Sequence, residues 1–286
     1  MQDPWIAELD KVVARAVDAV AREEPFTAAV PTFLLRHYLA ADLGTGAASV
    51  QDVLGTALAQ GLLLAGGATD VIGRAAWLLL LVEATAVADD ERLLPAVAAL
   101  VDGLRAEWPA QTRIDEASAS VEACLRAVEL VNPDELAQGA IDQLERVIGG
   151  SYRPGDGLVR ERGGIRLRCS ADDHVRGASA LLTAFELTGR LPYSMLAEEL
   201  IAIAGRALPA DAGLVIRCEA ARGLCRLALL HDDPGYRGSA VIAAGADYRA
   251  DASRILSAES AGALAGTASD AAAYGLALRE LLHYVR

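Results

Sequence analysis

The spacing of apolar positions predicts helices along almost the whole chain. Apolar residues recur at i, i+3, i+4 and i+7 in successive segments, and Gly, Pro and Asp mark the boundaries between them. The Ala-, Gly- and Ser-rich stretch 257–269 is instead predicted to be a loop. The pattern predicts twelve helices, near residues 4–22, 27–43, 48–66, 70–88, 90–106, 113–131, 133–149, 170–188, 191–207, 213–231, 234–250 and 268–284.

A layout of apolar helix, short polar turn and second helix recurs at a fixed interval. The first bulky residue after each turn serves as a marker, and Val50, Leu93 and Leu136 lie 43 residues apart. Tyr193 and Tyr236 are separated by the same interval, whereas Leu136 and Tyr193 are 57 residues apart. A fixed period of this length indicates repeated units that bury their apolar faces against one another. The longer interval indicates an insertion within one repeat.

The inserted segment, about 150–168, has a different pattern. Val159 and the run Ile165–Cys169 alternate apolar and polar residues between glycine-rich stretches, which is typical of a small β-hairpin. The next helix is expected to begin at Ser170. Ser170 has the side chain of a good N-cap, and Asp173 stands where a capping-box partner belongs.

Six repeated hairpins can form either an open solenoid or a ring closed on itself. An open solenoid needs a polar cap at each end, but the final helix is rich in apolar residues, namely Tyr274, Leu276, Leu278, Leu281 and Leu282. The sequence therefore predicts an all-α protein of about twelve antiparallel helices. The expected architecture is a closed (α/α)6-type toroid, a single domain over 1–286 with one inserted β-hairpin.

Composition excludes several classes of protein. The chain has 286 residues, of which 53% are hydrophobic and 23% charged, so it is not expected to be disordered. Its net charge of −13 argues against general binding to nucleic acid or to an anionic membrane. The run from Trp77 to Val87 is too short to span a bilayer, and the segment 1–4 lacks the features of a signal peptide. We therefore expect a soluble, acidic, cytoplasmic protein.

The four cysteines point to no metal or redox chemistry. Cys124, Cys169, Cys218 and Cys225 form no Cys-x-x-Cys pair, so the sequence supports neither a zinc ribbon nor a thioredoxin-type site. Asp-Asp-x-x-Asp and phosphate-cradling glycine motifs are also missing from the sequence. We expect no cofactor and no metal.

The stretch from Tyr152 through Leu200 resembles part of a known superfamily. Its glycine-rich hairpin is followed by Asp172-Asp173-His174 and then by Ala-Leu-Leu-Thr-Ala-Phe-Glu-Leu-Thr-Gly at 180–189. This layout resembles the helical part of proteins that join a thioredoxin-like domain to a six-hairpin, glycosidase-like toroid. A similar layout is found in sugar epimerases and hydrolases of the same superfamily. The resemblance implies a toroid directed at sugars, whereas a redox role is not implied because the chain has no Cys-x-x-Cys.

Equivalent positions on successive inner helices predict a ligand-binding rim. The repeat interval places Arg74, His174 and Arg217 in the first turns of their helices. Two arginines and a histidine around one mouth favour an anionic or polyhydroxylated ligand. The alternative is that each arginine pairs with a nearby carboxylate, such as Asp70 or Glu219, and serves only to hold the ring together.

Acid–base chemistry at the same mouth would require carboxylates. A glycosidase needs two carboxyl groups on opposite sides of the scissile bond, and Asp173 and Glu219 are the candidates, with His174 as a third catalytic residue. The alternative is structural, because acidic side chains in the first turn of a helix are stabilised by the helix dipole and by capping.

The hairpin and one aromatic residue complete the candidate site. Tyr152 and Arg153 lie on the insertion, which we expect to project over the mouth, where loops on a rigid scaffold often carry binding residues. Trp77 is a candidate for stacking on a sugar ring. These residues support a protein that binds or processes a sugar or another small polar ligand.

A second hypothesis belongs to a different class. Only 5% of the residues are aromatic and the inner helices are rich in apolar residues, which favours a non-catalytic scaffold or interaction module with a ring filled by side chains. The sequence does not decide whether the protein is an enzyme, and it does not define the oligomeric state.

Overall fold

The computed structural model describes residues 4–40, 47–67, 70–162, 165–207, 212–240 and 245–285. One 3-10 turn spans Trp108–Ala110. The helices are α1 Pro4–Ala21, α2 Ala29–Ala40, α3 Ala47–Gly67, α4 Val71–Thr85, α5 Leu93–Glu107, α6 Ile114–Arg126, α7 Pro133–Ser151, α8 Ala171–Thr188, α9 Leu191–Ala207, α10 Leu214–Asp232, α11 Pro234–Ser239, α12 Tyr248–Ala265 and α13 Ala268–Val285.

Two predicted boundaries near the C-terminal end are wrong. The helix expected near 234–250 ends as the short α11, and α12 begins only at Tyr248. The loop expected over 257–269 is helical as far as Ala265. Alanine has the highest helix propensity, and Ala263 of this segment is buried, as is Leu256 just before it. Their packing stabilises a helix that the small, polar composition alone does not suggest.

The contacts group the chain into two compact units. Unit 1 comprises the described residues within Met1–Ala68, Gly213–Cys225 and Tyr248–Arg286. Unit 2 comprises those within Thr69–Ala212 and Arg226–Asp247. The single domain expected over 1–286 stays a prediction.

Unit 2 is built from helix hairpins. Three of its helices, α4, α6 and α8, pack in sequence, with α6 in contact with both of the others. Ten of the thirteen residues of α6 are buried. The helices that follow them along the chain, α5, α7 and α9, each pack against the helix that comes before. Helices that pack on one another in sequence thus alternate along the chain with helices that pack beside them, and each such pair corresponds to one repeat of the sequence.

In unit 1, α13 packs against α1, α2 and α12. Its residues 271–278 are all buried, and Tyr274 is completely buried. Gly275 allows α13 to lie close to its neighbouring helices. A Cβ built there would lie 2.6 Å from Phe33 Cε2 and 2.7 Å from Val12 Cγ1. The final helix is therefore an apolar, buried element rather than a polar cap.

The inserted β-hairpin is confirmed as a small antiparallel sheet with strand order β1-β2-β3. The strands are β1 Tyr152–Arg153, β2 Gly157–Arg162 and β3 Ile165–Arg168. Gly157 has φ +75°, and a Cβ there would lie 2.7 Å from Nε2 of His174. A glycine is needed at this position both for its backbone conformation and for the space beside the histidine.

Candidate functional site

Acidic side chains converge at the first turns of α6 and α8. Asp115 and Glu116 open α6, and Asp172 and Asp173 open α8. The partial positive charge of a helix N-terminus favours acids at these positions. Because α6 and α8 pack directly against each other, the two acidic turns come together. We call Arg113, Asp115, Glu116, Arg160 and Asp173 the acid–arginine cluster.

Asp173 is the centre of this cluster, and its side chain is almost completely buried. Its Oδ2 accepts hydrogen bonds from the backbone N–H of Ser170 at 2.9 Å and from the Ser170 hydroxyl at 2.8 Å. The predicted capping box is therefore present. Oδ1 accepts from Arg160 Nη2 at 2.6 Å and from the backbone N–H of Asp115 at 3.2 Å. Four donors thus surround one carboxylate.

Arg113 holds the two acids of α6. Its Nη2 lies 2.5 Å from Oδ2 of Asp115, and its Nη1 lies 2.9 Å from Oε1 of Glu116. Burial opposes ionisation of Asp115, but the hydrogen bond and charge of Arg113, assisted by Arg160, outweigh it and lower the pKa of Asp115. Asp115 is therefore an anion at neutral pH.

His174 connects the hairpin to α8. Its Nδ1 lies 2.7 Å from the carbonyl oxygen of Ser170, and its Nε2 accepts the backbone N–H of Leu158 at 3.1 Å. A carbonyl can only accept, so Nδ1 carries the proton and Nε2 is free to accept. Burial lowers the pKa of His174, and the charge of Arg168 lowers it further. The ring is a neutral link between two backbone segments, and its catalytic role stays a prediction.

Cys169 lies beside the same cluster. Burial, followed by the charge of Asp173, raises the pKa of the Cys169 thiol to about 11. The group is therefore a protonated thiol at neutral pH and a poor nucleophile.

Of the ligand-binding residues predicted on α4, Arg74 has a local partner and Trp77 is buried. Arg74 Nη2 lies 2.6 Å from Oε1 of Glu107, while Asp70, the partner considered in the sequence, instead caps α4 through the N–H of Gly73. Trp77 is 5% exposed. The assignment of Arg74 and Trp77 to a ligand stays a prediction.

The two hairpin residues are also anchored. The Tyr152 hydroxyl donates to Oε2 of Glu199 at 2.7 Å, and burial together with this carboxylate raises the pKa of Tyr152 to about 12. Arg153 donates to the backbone carbonyl of Tyr152 at 2.6 Å. These contacts fix the base of the hairpin. The ligand contacts predicted for Tyr152 and Arg153 stay predictions.

Arg217 and Glu219 lie on the part of α10 that belongs to unit 1. Arg217 Nε is 2.7 Å from Oε1 of Glu259, and Glu219 is half-buried. The roles predicted for them, ligand binding for Arg217 and catalysis for Glu219, stay predictions.

A second polar network runs across the buried helices of unit 2. Glu122 on α6 accepts from the hydroxyls of Ser179 at 2.8 Å and Thr183 at 3.2 Å on α8. Arg226 donates to the same two hydroxyls and to Glu186. This network was not predicted, although the spacing of Ser179 and Thr183 at i and i+4 within an apolar helix indicates such a polar contact.

Unit 1 contains a comparable arrangement. Oε1 of Glu280 on α13 lies 3.0 Å from Arg36 Nη1 on α2 and 2.7 Å from Arg222 Nε on α10. Arg279 Nη1 lies 2.9 Å from Nδ1 of His37. Buried helices in both units are thus joined by arginine–glutamate pairs as well as by apolar contacts.

The described residues contain no group of three or more His, Cys, Asp or Glu side chains that could hold a metal ion. No helix in that part of the chain combines the length and hydropathy needed to cross a bilayer.

As a whole, the chain has the fold of the (α/α)6 toroid glycosidases, so the predicted fold class is confirmed. It is similar to two solved structures of one such enzyme, the GH76A alpha-1,6-mannanase of Salegentibacter sp. HEL1_6. With an inactive variant in complex with alpha-1,6-mannotetrose, in which two adjacent aspartates are replaced by alanine, the TM-score is 0.67 at 11% identity, covering 98% of this chain and 99% of the other. With the second structure, the TM-score is 0.65 at 11% identity, covering 99% and 100%.

By sequence, no protein-family model matches the chain, and no curated protein matches it.

Proposed function

We propose that this protein binds a saccharide at the acid–arginine cluster. The observation that carries the proposal is the convergence of three carboxylates and two guanidinium groups at the first turns of α6 and α8. Carboxylates accept hydrogen bonds from sugar hydroxyls, and guanidinium groups donate to them. The structurally similar mannanase was solved with an alpha-1,6-linked mannose oligosaccharide bound. We therefore take a neutral oligosaccharide as the ligand class.

The chemistry of the cluster favours binding over hydrolysis. Glycoside hydrolysis requires one carboxyl group that carries a proton and a second that is ionised. The pKa of Asp115 is lowered, so this carboxyl does not hold a proton at neutral pH. Both oxygens of Asp173 are occupied by four hydrogen-bond donors. Asp115 is therefore not suited to be the general acid.

Hydrolysis is the second candidate, and adjacent acids support it. Asp115-Glu116 and Asp172-Asp173 are both adjacent pairs at helix starts, and the inactive mannanase variant lacks two adjacent aspartates. Glu116 and Asp172 are only partly buried, so they are the carboxyls of the two pairs with solvent access. In this version Glu116 or Asp172 supplies the general acid, and Asp115 or Asp173 the ionised partner.

The remaining sequence-based assignments form part of the proposal. Arg74, Arg217, Tyr152, Arg153 and Trp77 are candidates for additional ligand contacts. His174 and Glu219 are candidates for catalysis, together with Asp173. The resemblance of Tyr152 through Leu200 to the thioredoxin-associated six-hairpin proteins is likewise a proposal about ancestry. The non-catalytic scaffold is the outcome expected if no saccharide binds.

A panel of oligosaccharides tests the proposal. Thermal unfolding is measured with alpha-1,6-mannotetraose, cellotetraose and maltotetraose, and the same mixtures are then chromatographed for shorter products. A ligand at about 100 times its Kd stabilises the native state by about 2.7 kcal/mol, which raises Tm by several degrees. A shift without products supports binding, and a shift with products supports hydrolysis. If none of the three oligosaccharides shifts Tm, the proposal is wrong for this ligand class.

A further inference from the structure

Exposed apolar side chains recur at one position of the repeat in unit 2. Each lies within four residues of the C-terminal end of α4, α6, α8 or α10. The residues are Val87, Leu130, Leu187 and Leu229, and they are 45%, 37%, 43% and 48% exposed. The intervals between them, 43, 57 and 42 residues, match those of the repeat to within one position. Single exposed apolar residues are common on protein surfaces, but an exposed position that repeats is not scattered by chance.

Two ion pairs bring three of these positions to the same end of unit 2. The helices α6 and α8 run in the same direction, because the acid–arginine cluster joins their first turns. Near their other ends, Arg126 Nη2 on α6 lies 2.7 Å from Oε2 of Glu186 on α8. Arg226 Nη2 on α10 lies 2.9 Å from Oε1 of the same carboxylate. Each of these three charged residues is followed within four positions by an exposed leucine. We call Leu130, Leu187 and Leu229 the leucine patch.

The turns on one side of the leucine patch are acidic. Residues 86–92, between α4 and α5, and residues 127–135, between α6 and the first turn of α7, contain six acidic residues and one arginine. Glu129, next to Leu130, is exposed. The positive charges of Arg126 and Arg226 are balanced by Glu186. The surface is thus apolar across the leucines and negative along the side formed by α4 and α6.

The spacing of the leucines suits a helical partner. The axes of packed helices are about 8–10 Å apart, so side chains at equivalent ends of α6, α8 and α10 are separated by about that distance. In an α-helix, residues seven positions apart lie on the same face and are about 10.5 Å apart along the axis. A helix with an apolar residue at every seventh position therefore matches the spacing of the leucine patch.

The charge of the acidic turns disfavours two other occupants. A second copy of this chain would bring acidic turns against acidic turns, and like charges placed together oppose association. The surface of an anionic membrane is negative as well and is repelled in the same way. Charge complementarity therefore favours a partner with basic side chains beside its apolar stripe.

We propose that the leucine patch binds a basic amphipathic helix of a partner protein. The apolar residues of that helix contact the three leucines, and its Lys and Arg side chains lie beside residues 86–92 and 127–135. The patch is separate from the saccharide site, because Asp115 and Arg126 are eleven residues apart on α6, which is about 16 Å along the helix axis. Binding of the helix does not depend on binding of a saccharide.

Synthetic peptides test the apolar stripe and the charge separately. The probe is a fluorescein-labelled peptide of three repeats of Leu-Ala-Lys-Leu-Lys-Ala-Lys, which places its leucines on one face of a helix. One control has the same composition with the leucines distributed around the helix, and a second control replaces every Lys by Glu. Fluorescence anisotropy is measured with the full chain in about 0.15 M salt. We expect the probe to bind at least tenfold more tightly than either control.

Variants of the protein locate the bound peptide. We expect Leu130→Ser and Leu187→Ser each to weaken binding of the probe severalfold, and the double variant to weaken it at least tenfold. Glu129→Gln removes one acidic side chain and should weaken the probe as well. The matched control is Ile165→Ser, which removes an exposed apolar residue from the hairpin and should bind as wild type does. All these side chains are exposed, so an unchanged Tm is expected and shows that the fold is retained.

Several results would overturn the proposal. Equal affinity for the probe and for the control of the same composition would reduce the binding to general attraction between charges. Equal affinity of Leu187→Ser and Ile165→Ser, or no anisotropy change up to about 1 mM of protein, would show that the patch binds no such helix. A concentration-dependent dimer in sedimentation analysis that Leu187→Ser disrupts would assign the patch to a second copy of the chain. Binding to anionic lipid vesicles that Leu187→Ser abolishes would assign it to a membrane surface.

Discussion

Oδ1 of Asp173 accepts the backbone N–H of Asp115 at 3.2 Å, across 58 residues of sequence. One buried carboxylate therefore caps its own helix through Ser170 and also binds the first turn of the neighbouring inner helix. Arg160 of the inserted hairpin joins at the same oxygen. The hairpin, α6 and α8 are thus held together at a single charged group, which makes the cluster rigid as well as polar.

Loss of the Arg160 guanidinium should destabilise the native state. Arg160→Ala leaves Asp173 buried with one fewer charged partner, and a buried carboxylate without full compensation is costly. We expect a decrease of about 1–3 kcal/mol in the free energy of unfolding, measured by urea denaturation. The matched control is Arg105→Ala, which removes an arginine from a pair with the exposed Glu135. A loss in the control as large as that in Arg160→Ala would contradict the account.

The neutral state of His174 predicts a pH dependence. Its pKa is lower in the folded protein than the ordinary value of 6.5, because burial disfavours the charged ring. The unfolded chain therefore takes up the proton first, and stability is lost as the pH falls below about 6.5. We expect His174→Gln to flatten the dependence of unfolding free energy on pH between 7 and 5.

Hydrogen exchange of one backbone amide tests the protonation of His174 directly. Protonation of Nε2 places two N–H groups against each other, so the backbone amide of Leu158 should lose its hydrogen bond at low pH. Its hydrogen exchange should accelerate at pH 5.5 beyond the change in intrinsic rate. His37 also has a lowered pKa, mainly from burial, so His37→Gln is the appropriate control. If the hydrogen exchange of the Leu158 amide at pH 5.5 changes only as its intrinsic rate does, protonation of His174 does not break this hydrogen bond.

Two glycine substitutions should have opposite effects. In Gly275→Ala the new Cβ meets Phe33 and Val12 at distances below 3.0 Å, so the packed helices must shift. Overpacking of this kind costs about 1–3 kcal/mol. Gly262→Ala on α12 meets nothing within 4 Å and should stabilise the protein by about 0.5–1 kcal/mol through helix propensity. Thermal unfolding of the two variants tests both expectations. Equal Tm values would refute the close approach of Gly275 to Phe33 and Val12.

The sequence predicted those features that depend on local patterns. The apolar spacing predicted the helices, the interrupted repeat predicted the inserted hairpin, and Ser170 with Asp173 predicted a capping box. The helices and the capping box depend on residues within a few positions of one another, and the interrupted repeat depends on sequence spacing alone, without knowledge of tertiary contacts. The failure over 257–269 is also local, because alanine is common both in flexible segments and in helices, and only its packing distinguishes them.

The site was less predictable because it depends on contacts between distant elements. Asp115 was not among the predicted site residues, since its connection to Asp173 exists only once α6 packs on α8. The arginine partner of Asp173 comes from the hairpin and could not be read from spacing. His174 was found, but its engagement by Ser170 and Leu158 depends on how the hairpin folds back. The sequence around His174 therefore does not specify which ring nitrogen carries the proton.

The most direct test of saccharide binding is isothermal titration calorimetry with alpha-1,6-mannotetraose. Wild type is compared with Glu116→Gln, which changes one partly exposed carboxylate of the cluster, and with Asp142→Asn, which changes an exposed carboxylate on α7. We expect saturable binding by wild type and by Asp142→Asn, and binding at least tenfold weaker by Glu116→Gln. Equal affinity in all three proteins, or no heat of binding to wild type, would show that the acid–arginine cluster does not bind this saccharide.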